Sequence, residues 1–363
     1  MLKNFVLILL VLIVGAGKSY SHDKSCSGKW INPRLLVGNP AIARLQQGRT
    51  ELTAREKKDI RQYGYTGLEL ITYLFINTFP GRKTWDTFEK VVKVTSGGQL
   101  KIYSWLWKEK YYFKNPLCLL TYDGIKPCDL IKKYTGIYFV PPERKYRGFL
   151  YYEYLTSREN HLKDKEGWAW IHELRRYRRS PTTAKDDYWL GSVLTYDDMF
   201  LRRPWEEKHR IIGEDKINGQ DCFVVESRSL KKTYYLFKRV TWVEKRSFLD
   251  LHQEQFDRGK RRSLVIDILW EQIEPTNYRV RSIWNCVNFV TKRRIVRNSY
   301  NWRIDPGFDD GEFLPAAMGK EYIWKKPPEI PAIEDVSDLP PPPVVRTQFW
   351  ENLNKERSGE DFF

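Results

Sequence analysis

Between His209 and Ile304 the chain repeats one pattern, a short strand-like run followed by a turn signal. Asn218-Gly219 follows Ile211-Ile212, Asp257-Arg258-Gly259 follows Leu249 to Phe256, Pro275-Thr276-Asn277 follows Leu264 to Ile273, and Thr291 to Arg294 follows Tyr278 to Val290. Links this tight join strands that pair antiparallel, because a parallel pair needs a crossover of a dozen residues or more. The segment reads as an all-β meander, and an aromatic fraction of 15 % suits strands.

Antiparallel sheets usually keep one polar, solvated face. Two strands here do not. From Thr233 to Val243 both Tyr234/Leu236/Val240/Trp242 and Tyr235/Phe237/Val243 are largely apolar, and from Leu264 to Ile273 Leu264/Ile266/Ile268/Trp270 oppose Val265/Leu269/Ile273. Either one face is covered while the other encloses a cavity, or the strands form a closed, fully packed barrel or sandwich; periodicity fits both.

Upstream, residues 32–77 read as helical and loopy, with a polar helical stretch through Arg55 to Ile60 broken by Gly64 and Gly67. Alternation at Leu100 to Trp107, Phe149 to Thr156 and Trp168 to Arg176 predicts further strands. After Ile304, Asp305 to Glu312 is acidic and turn-rich, but Asp310 stands where an EF-hand loop needs glycine, so a plain surface loop fits better than a calcium site. Seven prolines between Lys326 and Val344 predict an extended linker, and Thr347 to Phe363 a short helix around Phe349, Trp350 and Leu353 or a frayed end.

Lys3 followed by an apolar run from Phe5 to Val14 and a small-residue site at Ser19-Tyr20-Ser21 has the form of a secretory signal peptide, too short to cross a bilayer as a helix. Cleavage after Ser21 takes Lys3 and Lys18 from the +16 total and leaves +14. Export makes nucleic acid the least fitting acidic partner, ahead of which stand anionic lipid and acidic protein faces. An oxidising compartment permits disulfides: Cys118 and Cys128 flank a turn and can close a hairpin, whereas Cys222 and Cys286, in apolar strand runs, are as readily buried thiols.

Catalytic motifs are absent. There is no Gly-x-Ser-x-Gly elbow, no phosphate-binding Gly-rich loop, and no histidine pair at metal-ligand spacing, so neither a cofactor nor a metal is expected. Asp186/Asp187 and Asp197/Asp198 are the carboxylate pairs a hydrolase would use, but Thr195-Tyr196-Asp197-Asp198 also reads as a helix start capped by Thr195. Of the basic clusters, Arg175, Arg176, Arg178 and Arg179 form the densest, a candidate contact for lipid headgroups or a partner.

Residues 173–315 resemble a known family. Arg-Arg-Tyr-Arg-Arg-Ser-Pro (175–181), Leu-Gly-Ser-Val-Leu-Thr-Tyr-Asp-Asp-Met (190–199), Ile-Ile-Gly-Glu-Asp-Lys-Ile-Asn-Gly-Gln-Asp-Cys-Phe-Val-Val-Glu (211–226), Val-Thr-Trp-Val-Glu-Lys (240–245) and Gln-Phe-Asp-Arg-Gly-Lys (255–260) occur in the order seen in LolA-like outer-membrane lipoprotein-sorting proteins. Val193 departs from the acidic residue expected after Gly191-Ser192. The resemblance implies a mainly β fold, an incomplete antiparallel barrel of LolA/LolB type with covering helices, here with an α/β N-terminal region. It divides the chain into a signal peptide (1–21), an N-terminal region (22–148), a LolA-like domain (149–325) and a proline-rich tail (326–363).

It further implies a non-catalytic periplasmic carrier that holds a lipid or lipoprotein acyl chain in an apolar cavity for transfer towards the outer membrane. The candidate wall is Tyr234, Leu236, Val240, Trp242, Leu264, Ile266, Ile268, Trp270, Trp284 and Trp302. Because such proteins often accompany RND/MMPL-type inner-membrane exporters, the alternative is an accessory factor of an envelope transporter, with the Arg175–Arg179 cluster and the proline tail as contacts.

Overall fold

The computed structural model describes residues 44, 47–78, 83–113, 129–155, 165–180, 186–199, 203–276, 278–320 and 333–356. The signal segment, Cys26, Cys118 and Cys128 lie outside them; Cys222 and Cys286 are buried free thiols, and burial pushes the Cys222 thiol up to about 12.

Thirteen strands form one antiparallel sheet: β1 (Thr84–Val94), β2 (Leu100–Tyr111), β3 (Leu130–Val140), β4 (Gly148–Tyr154), β5 (Lys165–Ile171), β6 (Arg176–Ser180), β7 (Glu207–Ile217), β8 (Gln220–Ser229), β9 (Leu236–Glu244), β10 (Asp250–Asp257), β11 (Arg262–Ile273), β12 (Tyr278–Asn288) and β13 (Arg293–Ile304). Their spatial order is β6-β5-β4-β3-β2-β1-β13-β12-β11-β10-β9-β8-β7. Two meanders are thus stitched together where β1 pairs with β13, Val92 opposite Val296. The sheet ends at β6 and β7 and does not close, which is the incomplete barrel expected. The expected boundary at 148/149 lies at the first residue of β4, and β3 and β4 are hydrogen-bonded from Leu130 opposite Tyr154 to Ile137 opposite Gly148, so the strands on both sides of it share one sheet.

Two helices precede the sheet. In α1 (Ala54–Tyr63) the Thr53 hydroxyl accepts from the Glu56 amide and the Glu56 carboxylate accepts from Thr53 N–H, a reciprocal cap, and Gly64 ends the helix at φ 79°. Gly67 does not break structure, as expected from sequence, but opens α2 (Gly67–Thr78): a Cβ there would stand 2.7 Å from the backbone nitrogen of Arg210, so only glycine lets the helix approach β7 this closely. Leu70, Ile71, Tyr73, Leu74, Phe75 and Ile76 are all buried. One core joins them to inner-face residues from distant strands, including Phe149 of β4, Trp107 of β2, Ile211 of β7 and Ile266 of β11. Side chains from so many strands meet one helix only if the sheet curls around it.

The outer face is covered too. Residues 308–318 lay Phe308, Phe313 and Met318 against Leu150, Trp168 and Trp170. Two acidic residues of that segment are ion-paired, Glu312 with Lys108 at 2.8 Å and Asp310 with Lys110 at 3.3 Å, and Asp309 accepts from the Gly311 amide, as befits a structural loop. The proline stretch, expected as a linker, is instead a strap in its described part. Leu339 packs on Val92 and Val296, and the Pro340 and Pro341 carbonyls accept from Arg294 and Asn285. Arg346 then forks onto Asp215, both contacts 3.0 Å, and leads into α4 (Thr347–Glu356). Phe349 and Leu353 of α4 cover Ile212, Val240 and Trp242.

Beneath α4, His252 is buried between Asp267 and Glu254, its Nδ1 2.5 Å from Asp267. Burial works against the imidazolium, but the two carboxylates outweigh it and raise its pKa above 6.5. Burial likewise opposes the Glu254 carboxylate, but His252, the Arg346 amide and Arg262 bring it down to about 2 from 4.5. Trp350 Nε1 also donates to Glu254, at 2.9 Å.

Two outcomes follow. Phe349→Ala should lower unfolding stability by about 3 kcal/mol, whereas exposed Gln348→Ala should change it little; urea titration separates them. Stability from His252 is complete below about 6.5 and lost as pH rises through the raised folded value; stability from Glu254 is complete above about 4.5 and lost as pH falls towards 2. Urea midpoints across pH should therefore form a plateau between these limits, and His252→Phe should remove the alkaline fall.

Candidate functional site

Where the curled sheet and α2 do not meet, a cavity of about 170 Å³ remains. Its floor is Ile71, Leu74 and Phe75 of α2; its walls come from β1, β2, β3 and β9 to β13 and from the short helix α3 (Tyr196–Met199). Trp85, Trp107, Trp270, Trp284 and Trp302 border it, with Ile266 and Ile268 between them.

Arginines interleave with the tryptophans. The Arg281 guanidinium lies 5.0 Å from the Trp270 ring and 4.9 Å from Trp284; that of Arg297 lies 5.5 Å from Trp284 and 5.7 Å from Trp107. Each cation is neutralised by a carboxylate. Asp250 accepts from Arg281 at 2.9 and 3.1 Å, and buried Glu89 accepts from Nε and Nη2 of Arg297 and from Trp105 Nε1 at 2.6 Å. Stacked between rings, a guanidinium keeps its charge with little bulk water because the ring faces attract it.

Two more ion clusters complete the wall. Lys132 sits 3.7 Å from Glu109 and 3.5 Å from Glu153; burial would lower its pKa, but the two carboxylates hold it above the usual lysine range. Arg239 contacts Asp197 at 2.5 Å and the Tyr234 hydroxyl at 2.7 Å, and Tyr234 in turn donates to Asp197. Asp198 caps α3, accepting from the amide and hydroxyl of Thr195 at 2.8 Å each, and takes Gln255 Nε2 at 2.5 Å. The helix start read from Thr195 is therefore real, and both aspartates also border the cavity. Every one of these carboxylates is engaged in an ion pair or a hydrogen bond.

Among the residues singled out from sequence, Ile266, Ile268, Trp270, Trp284 and Trp302 border the cavity. Leu264 lies in the same core without reaching the wall, and Tyr234 is one residue behind it, against Arg239 and Asp197. Val240 and Trp242 are on the opposite face, under α4, and Leu236 shares their parity. In β9 the inward residues are Arg239 and Val243 instead. Arg175, Arg176, Arg178 and Arg179 lie exposed at the β6 edge, away from the cavity, with Arg179 paired to Glu166 at 3.0 Å. Sequence reading missed the inward ions; their signal was Glu89 and Glu109, carboxylates set inside strands of Trp, Val and Phe. The expected dry hollow is thus corrected: its wall is aromatic and ionic together.

A family model described as "uncharacterized protein" matches residues 133–320, just over half of the 363-residue chain. The chain belongs to that family, DUF1329. A DUF1329 family protein from Desulfovibrio piger superposes with a TM-score of 0.58 at 18 % identity, over 73 % of this chain and all (100 %) of its own. A putative outer membrane lipoprotein-sorting protein domain from Vibrio parahaemolyticus gives 0.56 at 19 %, over 70 % of this chain and 98 % of that one. No curated protein matches the chain.

Removing one partner of a buried pair strands the other charge. Glu89→Ala should cost about 3 to 5 kcal/mol of unfolding stability by leaving Arg297 uncompensated. Glu214→Ala, which breaks the half-exposed contact with Lys245, should cost under about 1 kcal/mol in the same urea titration.

Proposed function

We propose that this protein is a non-catalytic periplasmic carrier that shelters an acyl chain of a lipid or lipidated protein on its way towards the outer membrane. The observation that carries the reading is the cavity itself: a tryptophan and isoleucine wall over an apolar helix, inside a sheet left open at β6 and β7. The similar Vibrio domain, described as lipoprotein-sorting, supports the same reading, as does the export signal in residues 1–21. Each methylene moved from water into such a site contributes about 0.8 kcal/mol, so affinity needs no chemistry.

At about 170 Å³ the cavity is below the 300–1,000 Å³ of drug-sized sites. It takes the end of a chain, and the remainder leaves past Arg279, which lines the cavity and is exposed. The engaged carboxylates, Asp197 and Asp198 included, speak for binding and against hydrolysis.

The accessory-factor reading keeps one observation in its favour, the exposed basic residues of the edge strand β6, which an acidic face of an RND-type transporter would complement. Of the proline tail, its other contact, residues 336–356 pack on the outer face of the sheet.

Purified protein should carry lipid detectable by native mass spectrometry and should displace a fluorescent acyl probe from solution. Ile268→Trp, which fills the hollow, should weaken probe binding about tenfold with the fold retained. Protein free of lipid and indifferent to the probe would defeat the carrier reading.

A further inference from the structure

Hydrogen-bonding capacity around the cavity is unequal. Its carboxylates are spent: Glu109 on Trp107, Tyr111 and Lys132, Asp197 on Tyr234 and Arg239, Asp198 on Thr195 and Gln255, and Asp250 on Arg281. Its donors are not. Trp302 Nε1 is buried with no acceptor, and the Nε atoms of Arg239 and Arg281 are in the same condition. Arg279, exposed on β12 at the cavity mouth, has no carboxylate partner among the described residues. Of the cations lining the space, Lys132, Arg239, Arg281 and Arg297 each have a carboxylate partner, which sets Arg279 apart.

A buried donor without an acceptor costs about 1–3 kcal/mol, which an occupant bringing an acceptor recovers. An occupant bringing a cation finds each lining carboxylate already engaged and meets Arg279 at the mouth. Resting on the carrier reading, we propose that the site selects anionic amphipaths, with Arg279 holding the charged oxygen head at the mouth and Trp302 Nε1 donating to an acceptor oxygen of the occupant.

The test uses three ligands of equal chain length, hexadecanoate, hexadecanol and hexadecylamine, each displacing a neutral fluorescent acyl probe from the full-length mature protein. Hexadecanoate should bind about fivefold tighter than hexadecanol and at least tenfold tighter than hexadecylamine. Arg279→Gln, a change at an exposed side chain, should bring the acid and the alcohol to within twofold. Trp302→Phe keeps a ring in place but removes the donor, and should weaken both oxygen-bearing ligands about threefold while sparing the amine. An amine bound as tightly as the acid, or an acid preference unchanged in both variants, would overturn the assignment while leaving the carrier intact. Failure of all three ligands to displace the probe would instead remove the carrier reading along with it.

Discussion

The structure depends on putting an almost wholly apolar helix inside a curled sheet. Helix α2 has no polar face to offer water, so it is stable only when surrounded, and the sheet must bend far enough to surround it. That bend brings strands from both meanders onto Leu70 to Ile76, and the stitch between β1 and β13 keeps them together. Because a helix is narrower than the space a thirteen-stranded sheet encloses, the wall is left with a gap at one end of α2. The cavity is a remainder of packing a cylinder into a trough.

What fills the rest of that trough explains why charge appears in the interior. Ring faces of Trp107, Trp270 and Trp284 and the guanidinium groups of Arg281 and Arg297 satisfy one another, and Asp250 and Glu89 complete the neutralisation. A wall made of such units is rigid in register yet amphiphilic, and it offers a bound molecule both hydrocarbon contact and hydrogen-bond donors. A purely aliphatic hollow would give affinity without any preference for the polar end of its cargo.

The strands of the second half were legible because turn chemistry marks their ends: Asn218-Gly219 and Asp257-Arg258-Gly259 each join neighbouring strands. Alternation also placed Ile266, Ile268 and Trp270 correctly on the cavity side of β11. In β9 the same reasoning chose the wrong face, since α4 covers Val240 and Trp242 as thoroughly as the core covers Val243, and two covered faces look alike in sequence. Helix α2 fell within a region read only as helical and loopy for a related reason: without a polar stripe it has no clear helical period to mark its bounds. The strap was misread because a proline-rich segment has the composition of a linker whether or not its carbonyls find partners; Asn285 and Arg294, 56 and 46 positions earlier, supply them, and nothing in the tail itself indicates this.

The two free margins of the sheet are not equivalent. At β7 the backbone of Ile211 is already used, its N–H by Asp59 and its carbonyl by Arg55, so that margin is sealed by α1. At β6 the described residues provide no such seal, only arginines. Endless growth of a sheet from copy to copy requires two adhesive margins on every molecule, and this one has a single margin left. With the β7 margin closed, pairing of the described strands margin to margin ends at two copies joined through β6, and a strand-rich chain is kept from polymerising into fibres.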